Sequence, residues 1–164
     1  MKSKKAMLNP KTTIGHVHLK VSDIDIALSF YRDILGFEVT TKMGDHAVFL
    51  SVGGYHHHIG LNTWESKGGK APSPGNTGLY HFAILLPSRK ELAKALKRLL
   101  DNEYPISGMS DHGVSEAIYL SDPDGNGIEL YADRPRKEWP RDEKGNLVMF
   151  TKRLDVGKLM KELK

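Results

Sequence analysis

The sequence contains no cysteine, which excludes disulfide staples and thiolate metal ligands alike. Any metal ion this chain holds must therefore be ligated by His, Asp or Glu. Long apolar runs are missing too: no stretch approaches the roughly 18 consecutive apolar residues a membrane span requires. The opening segment, MKSKKAMLNPKTT, is basic but has neither an apolar stretch nor a small-residue cleavage site, so no secretory signal is expected. Charge of one sign is not in large excess, with 24 Lys and Arg against 20 Asp and Glu for a formal +4. There is no basic helix, zinc-finger spacing or RNA-binding signature, so neither nucleic acid nor a membrane is an expected partner. The expected compartment is the cytoplasm. At 164 residues and 39% hydrophobic content, one compact core is expected rather than two ordinary domains.

What is present is a pattern that occurs twice. Residues 14–21, IGHVHLKV, alternate with strand periodicity, Val17, Leu19 and Val21 on one face and His16, His18 and Lys20 on the other. In SDIDIALSFYRDILGF, Ile24, Ala27, Leu28, Tyr31, Ile34 and Leu35 recur at helical spacing. Ser22 or Asp23 can cap that helix, and Gly36 sits where a left-handed cap would end it. Strands are expected at 37–42, 46–52 and 56–62, with turns at Gly44 and Gly53-Gly54. The second half repeats the order. LYHFAILL at 79–86 reads as a strand, and Ser88-Arg89-Lys90-Glu91 is a capping box. It opens a helix burying Leu92, Ala95, Leu96 and Leu99. Strands near 105–109, 115–121 and 127–132 follow, the last two joined by the turn Asp122-Pro123-Asp124-Gly125.

Both halves thus read β-α-β-β-β. The modules are 13–64 and 77–133 of a single domain spanning 13–133, linked by the aperiodic SKGGKAPSPGNTG. Residues 1–12 form an expected tail and 134–164 a C-terminal extension. In the latter, Leu154, Leu159, Met160 and Leu163 suggest a short helix docked on the domain or on a partner. One helix covers only one face of a four-stranded unit, so the expected fold is α+β: paired βαβββ modules forming a curved eight-stranded sheet around a metal cleft. His16, His18, Lys20, His81, Ala83, Glu129 and Tyr131 would point into that cleft.

His16 and His81 occupy the same slot at the start of each module, and Glu129 lies in the last strand of the second. Two imidazoles and one carboxylate with other positions open suit non-haem Fe(II) or Mn(II). Aligning Ile128-Glu129-Leu130-Tyr131 with Ile59-Gly60-Leu61-Asn62 puts Gly60 in the first module's carboxylate slot. A four-ligand site would need a side chain there.

The stretches HVHLKVSDIDIALSFYRDILGF and DPDGNGIELY resemble the vicinal oxygen chelate superfamily, which joins glyoxalases, bleomycin-resistance proteins and extradiol dioxygenases. The likeness covers about residues 13–133 and is nearest the catechol 2,3-dioxygenase branch, whose members share tails like ADRPRKEWPRDEKGNLVMFTKRLD. It implies metal ligation by His16, His81 and Glu129. It also implies Fe(II), or Mn(II), as cofactor, a catechol-type substrate cleaved with O2, and a homodimer.

Tyr55-His56-His57-His58-Ile59-Gly60-Leu61-Asn62 carries three of the eight histidines. Strand alternation over 56–62 would put His56, His58 and Gly60 on the cleft face and His57, Ile59 and Leu61 on the other. A non-ligating histidine near a metal suits proton transfer, and His58 is the expected carrier. A strand histidine takes this role in the resembling ring-cleaving enzymes, accompanied by a second histidine and a tyrosine that His112 and Tyr119 match. Two other readings compete. A glyoxalase-type isomerase or lyase would use a glutamate where Gly60 stands, and a metal-free binding protein would lack the ligand set.

Overall fold

Local chemistry places the elements where the pattern expects them. In the computed structural model, which describes residues 7–164, strand β1 (Val17–Lys20) leads into helix α1 (Ile24–Tyr31). Residues 1–6 of the expected tail lie outside the described residues. Of the two candidate caps, Asp23 does the work: its carboxylate accepts from the Ile26 N–H at 2.9 Å. Strands β2 (Glu38–Met43), β3 (Ala47–Ser51) and β4 (Ile59–Asn62) complete the first module. The second module runs β5 (Phe82–Leu85), α2 (Arg89–Asp101), β6 (Gly108–Asp111), β7 (Ser115–Ser121) and β8 (Gly127–Asp133). Its helix is capped by Ser88, whose hydroxyl accepts from the Glu91 N–H at 3.2 Å.

The paired βαβββ modules of the α+β fold are present. Their eight strands divide into two sheets rather than one continuous sheet, ordered β1-β4-β3-β2 and β5-β8-β7-β6. A ninth strand, β9 (Lys152–Arg153), extends the second sheet beside β6. The division has a physical cause: the modules join through α1 and the residues flanking it, which meet the β7–β8 turn and the α2 side of the second module. The Tyr31 hydroxyl donates to Asp122 at 2.8 Å in a buried bond, and the Ser22 N–H donates to Asp124 at 3.0 Å. Phe30 stacks on Tyr104 with ring centroids 4.7 Å apart. Gly36, at φ +88°, brings the backbone so close that a Cβ would lie 2.6 Å from the Arg98 guanidinium of α2. One core, including Leu28, Leu61, Leu96 and Ile128, runs through both modules.

The repeat holds at single-residue register. β1 pairs in parallel with β4, setting His18 opposite Gly60, and β5 pairs in parallel with β8, setting Ala83 opposite Glu129. The extension folds onto the second module. Helix α3 (Val156–Met160) packs beside α2, with Leu154 and Leu159 buried. Arg89 bridges buried Glu116 and Glu162, each at 2.6 Å. No helix among the described residues is long and apolar enough to cross a membrane.

Candidate metal centre

Side chains alternate along a strand and neighbours in register share a face. His81, two residues before Ala83, therefore lies over the face that carries Glu129. Its Nε2 stands 3.1 Å from Glu129 Oε2, with the two side chains 31% and 14% exposed. Tyr119 is opposite Glu129 across β7 and β8, and its hydroxyl donates to Glu129 Oε1 at 3.2 Å. His112 continues the chain, with Nε2 2.7 Å from the Tyr119 hydroxyl and Nδ1 2.9 Å from the Phe150 carbonyl.

That last contact fixes a proton. A carbonyl only accepts, so His112 Nδ1 carries hydrogen. When the imidazole is neutral, Nε2 accepts from Tyr119. When it is cationic, Nε2 donates, and the Tyr119 proton is free for Glu129. Burial, reinforced by the charge of Glu129, pushes the Tyr119 phenol up to about 12, so it stays protonated near neutrality. An open cavity of about 570 Å³ lies here, lined by Tyr80, His81, His112, Tyr119 and Thr151 among others. Its size is that of a small-molecule pocket.

The pair His81–Glu129 fits a divalent ion. An imidazole and a carboxylate 3.1 Å apart, both partly exposed, are donor types that would hold such an ion. His16 is not part of this group. Its ring sits 4.4 Å from that of His57. Among the described residues no group of three or more His, Asp or Glu is gathered around one point. Of the expected ligands the structure brings two together and leaves the third in the other module.

The first module carries its own cluster. His57 touches Phe49 at 5.1 Å as well as His16, and its Nδ1 lies 2.7 Å from that of His56. Desolvation and then the neighbouring His16 lower the His57 imidazole from its ordinary value, and the same two causes lower His18. His58 faces elsewhere: its Nδ1 is 3.0 Å from Ser51 Oγ and its ring lies on Tyr55. The expected alternation fails upstream of Ile59 because β4 begins there; His56 and His57 precede it and follow a bend. His18 stands between Phe49 and Trp64, at 5.7 and 5.6 Å. A Cβ on Gly60 would lie 2.9–3.0 Å from the His18 ring. The first module's carboxylate slot is thus filled from the adjacent strand by an imidazole.

Two contributors were not read from the sequence. Phe150 and Thr151, which hold and approach His112 at 2.9 and 3.4 Å, come from the extension, where no periodicity marks them. Strand alternation from 56 predicts His57 on the outer face, whereas the bend before β4 turns it toward His16 and Phe49.

Twin βαβββ modules with a histidine before the first strand and a carboxylate in the last define a class of metal-chelating folds. The model for the glyoxalase/bleomycin resistance protein/dioxygenase superfamily matches residues 13–130, and the chain belongs to that superfamily. It is 46% identical over 156 residues to a catechol-2,3-dioxygenase of Bacillus subtilis, across 94% of this chain and 53% of that protein. It is 30% identical to biphenyl-2,3-diol 1,2-dioxygenase 3 of Rhodococcus globerulus, across 73% of this chain and 63% of that one. The chain therefore spans about half to two thirds of the length of these curated relatives. Among solved structures, lactoylglutathione lyase from Agrobacterium tumefaciens superposes with a TM-score of 0.59 at 27% identity, covering 76% of this chain and 96% of its own.

Proposed function

We propose that the chain is a metal-dependent extradiol dioxygenase that opens the ring of a catechol-type substrate with O2. The observation that carries this reading is the His81–Glu129 pair joined through Tyr119 to His112. Two ligands for an ion and a proton chain ending beside it are what ring opening of a diol requires. The 46% identity to a catechol-2,3-dioxygenase supports it. The reading assigns His16, His81 and Glu129 as ligands, with Fe(II) as the ion and Mn(II) as the alternative.

When bound, the ion supplies Lewis acidity and redox capacity at one centre for a vicinal diol and O2. The remaining work falls to the chain. Glu129 is held in place by the Tyr119 hydroxyl. His112, its Nδ1 proton committed to Phe150, takes up or returns a proton at Nε2 through Tyr119. In the first module the histidine beside His16 is His57, and the proton-carrying role expected of His58 passes to it. Gly60 adds no carboxylate and His18 fills its slot, which supports this reading over an isomerase-type site with a fourth, carboxylate ligand.

Aerobic incubation of Fe(II)-loaded protein with a panel of catechols is expected to give a yellow ring-opened product. Colourless reactions across the whole panel would contradict the proposal.

A further inference from the structure

We propose that Phe150 is a positioning residue for the proton chain: the extension forms a strap beyond the second module, and the Phe150 ring seats the Phe150 carbonyl on His112. The inference rests on the proton-relay role given to His112 above and adds what keeps that imidazole aligned.

His112 opens the three-residue turn between β6 and β7, outside the strand ladder. Its backbone is tied by its own N–H, which donates to the Ser115 carbonyl at 2.9 Å, and by the Gly113 N–H, which donates to Asp111 Oδ1 at 2.8 Å. Neither bond sets the direction of the ring. The extension does, where the Phe150 carbonyl meets Nδ1 at 2.9 Å and Thr151 Oγ1 stands 3.4 Å from the same atom. The Phe150 N–H returns to the His112 carbonyl at 3.4 Å, so one residue of the strap clasps one residue of the turn at two points.

The Phe150 ring is gripped in turn. A Cβ on buried Gly113, at φ +78°, would lie 2.7–2.8 Å from that ring and 2.8 Å from Pro140 Cγ, so only glycine lets ring and turn close this far. The Lys152 ammonium stands over the ring, 4.5 Å from its centroid. The strap is pinned at both ends. At its start the Arg134 N–H donates to the Val114 carbonyl at 2.8 Å, and the Arg134 guanidinium donates to Asp111 and Glu116, each at 2.9 Å. At its end β9 pairs with β6, and Leu154 is buried. The ligand pair depends on none of these contacts. His81 and Glu129 belong to the β5–β8 ladder, on the far side of β7 from β6 and β9. The superfamily match ends at residue 130, so the strap lies outside it. Loosening Phe150 should therefore misalign the proton chain and leave the metal in place.

The test compares Phe150→Ala, which removes the ring and keeps the carbonyl, with Phe150→Leu, which keeps an apolar wedge. The His112 ring nitrogens are read by NMR on intact chains labelled with 15N-histidine before Fe(II) is added, the signal being assigned by its loss in His112→Gln. Wild type is expected to carry hydrogen on Nδ1. Phe150→Ala is expected to show hydrogen on Nε2, or exchange between the two tautomers, with Phe150→Leu close to wild type. After Fe(II) loading, Phe150→Ala should keep its metal and a KM within about 2-fold, while kcat falls about 10- to 100-fold. Phe150→Leu should recover most of that loss. Gly113→Ala presses on the same ring from the other side and should reproduce the tautomer change, which keeps the test decisive where Phe150→Ala folds poorly. Hydrogen fixed on Nδ1 in both Phe150→Ala and Gly113→Ala would overturn the proposal, as would metal lost together with turnover. A colourless wild type would bring down the dioxygenase reading alone, since the tautomer is read without turnover.

Discussion

At the scale of single residues, the proposed chemistry turns on which histidine lies beside which. His57 contacts His16, while His58 contacts Ser51 and Tyr55. His57→Ala should lower turnover by about 100-fold or more with the metal retained. His58→Ala should leave turnover within a few-fold of wild type while costing about 1 kcal/mol of stability through the lost Ser51 bond. Steady-state rates and denaturant melts on the two variants separate them, and the reverse order would return the role to His58. A pH effect belongs to the phenols. Tyr119 and Tyr104 are both pushed up to about 12, chiefly by burial, with Glu129 adding to the first and Asp122 to the second. Between pH 10 and 12 the folded chain keeps protons that the unfolded chain has lost. Stability present below pH 10 should therefore fall across that window. Thermal melts at both ends of it should show a smaller drop in Tyr119→Phe and Tyr104→Phe. The equivalent slots of His16 and His81 and the approach of His81 to Glu129 were legible in the sequence because a repeat marks them; the His112–Phe150 contact was not, because it joins a loop to an aperiodic tail 38 residues away.

Among elements, the parallel pairs β1–β4 and β5–β8 are variations on one design with the large residue on opposite strands. The first places His18 opposite Gly60, the second Ala83 opposite Glu129. Gly60→Ala should cost about 1–3 kcal/mol, because a Cβ there meets the His18 ring near its root. In a His18→Ala background the same change should cost far less, and a double-mutant cycle reads the coupling. Equal costs in both backgrounds would show that His18 does not fill the slot. Both helices and their caps were readable from Asp23 and Ser88 together with the helical spacing of apolar residues. Strand ends were less so. β4 starts at Ile59 rather than 56: His58 still bonds Leu50 of β3 and Val17 of β1, but the chain bends at His56 and His58. Such a bend leaves no mark in hydrophobic alternation.

For the whole molecule, sequence periodicity showed two modules but not how they would sit. A covering face on each sheet predicts one curved eight-stranded sheet; buried Tyr31–Asp122 and the Phe30–Tyr104 stack instead join α1 to the β7–β8 turn and the loop after α2. The second sheet gains β9 from the extension, and Glu162, just beyond α3, ties that extension to Arg89 of α2. Everything proposed about function depends on an ion at the His81–Glu129 pair that this arrangement assembles. The most direct measurement is elemental analysis of the protein purified without chelators and of its Glu129→Ala and His81→Ala variants handled identically. The account predicts stoichiometric iron or manganese in the wild type and loss of it in both variants. Metal content unchanged by either substitution, or a wild type that takes up none when Fe(II) or Mn(II) is supplied, would contradict it.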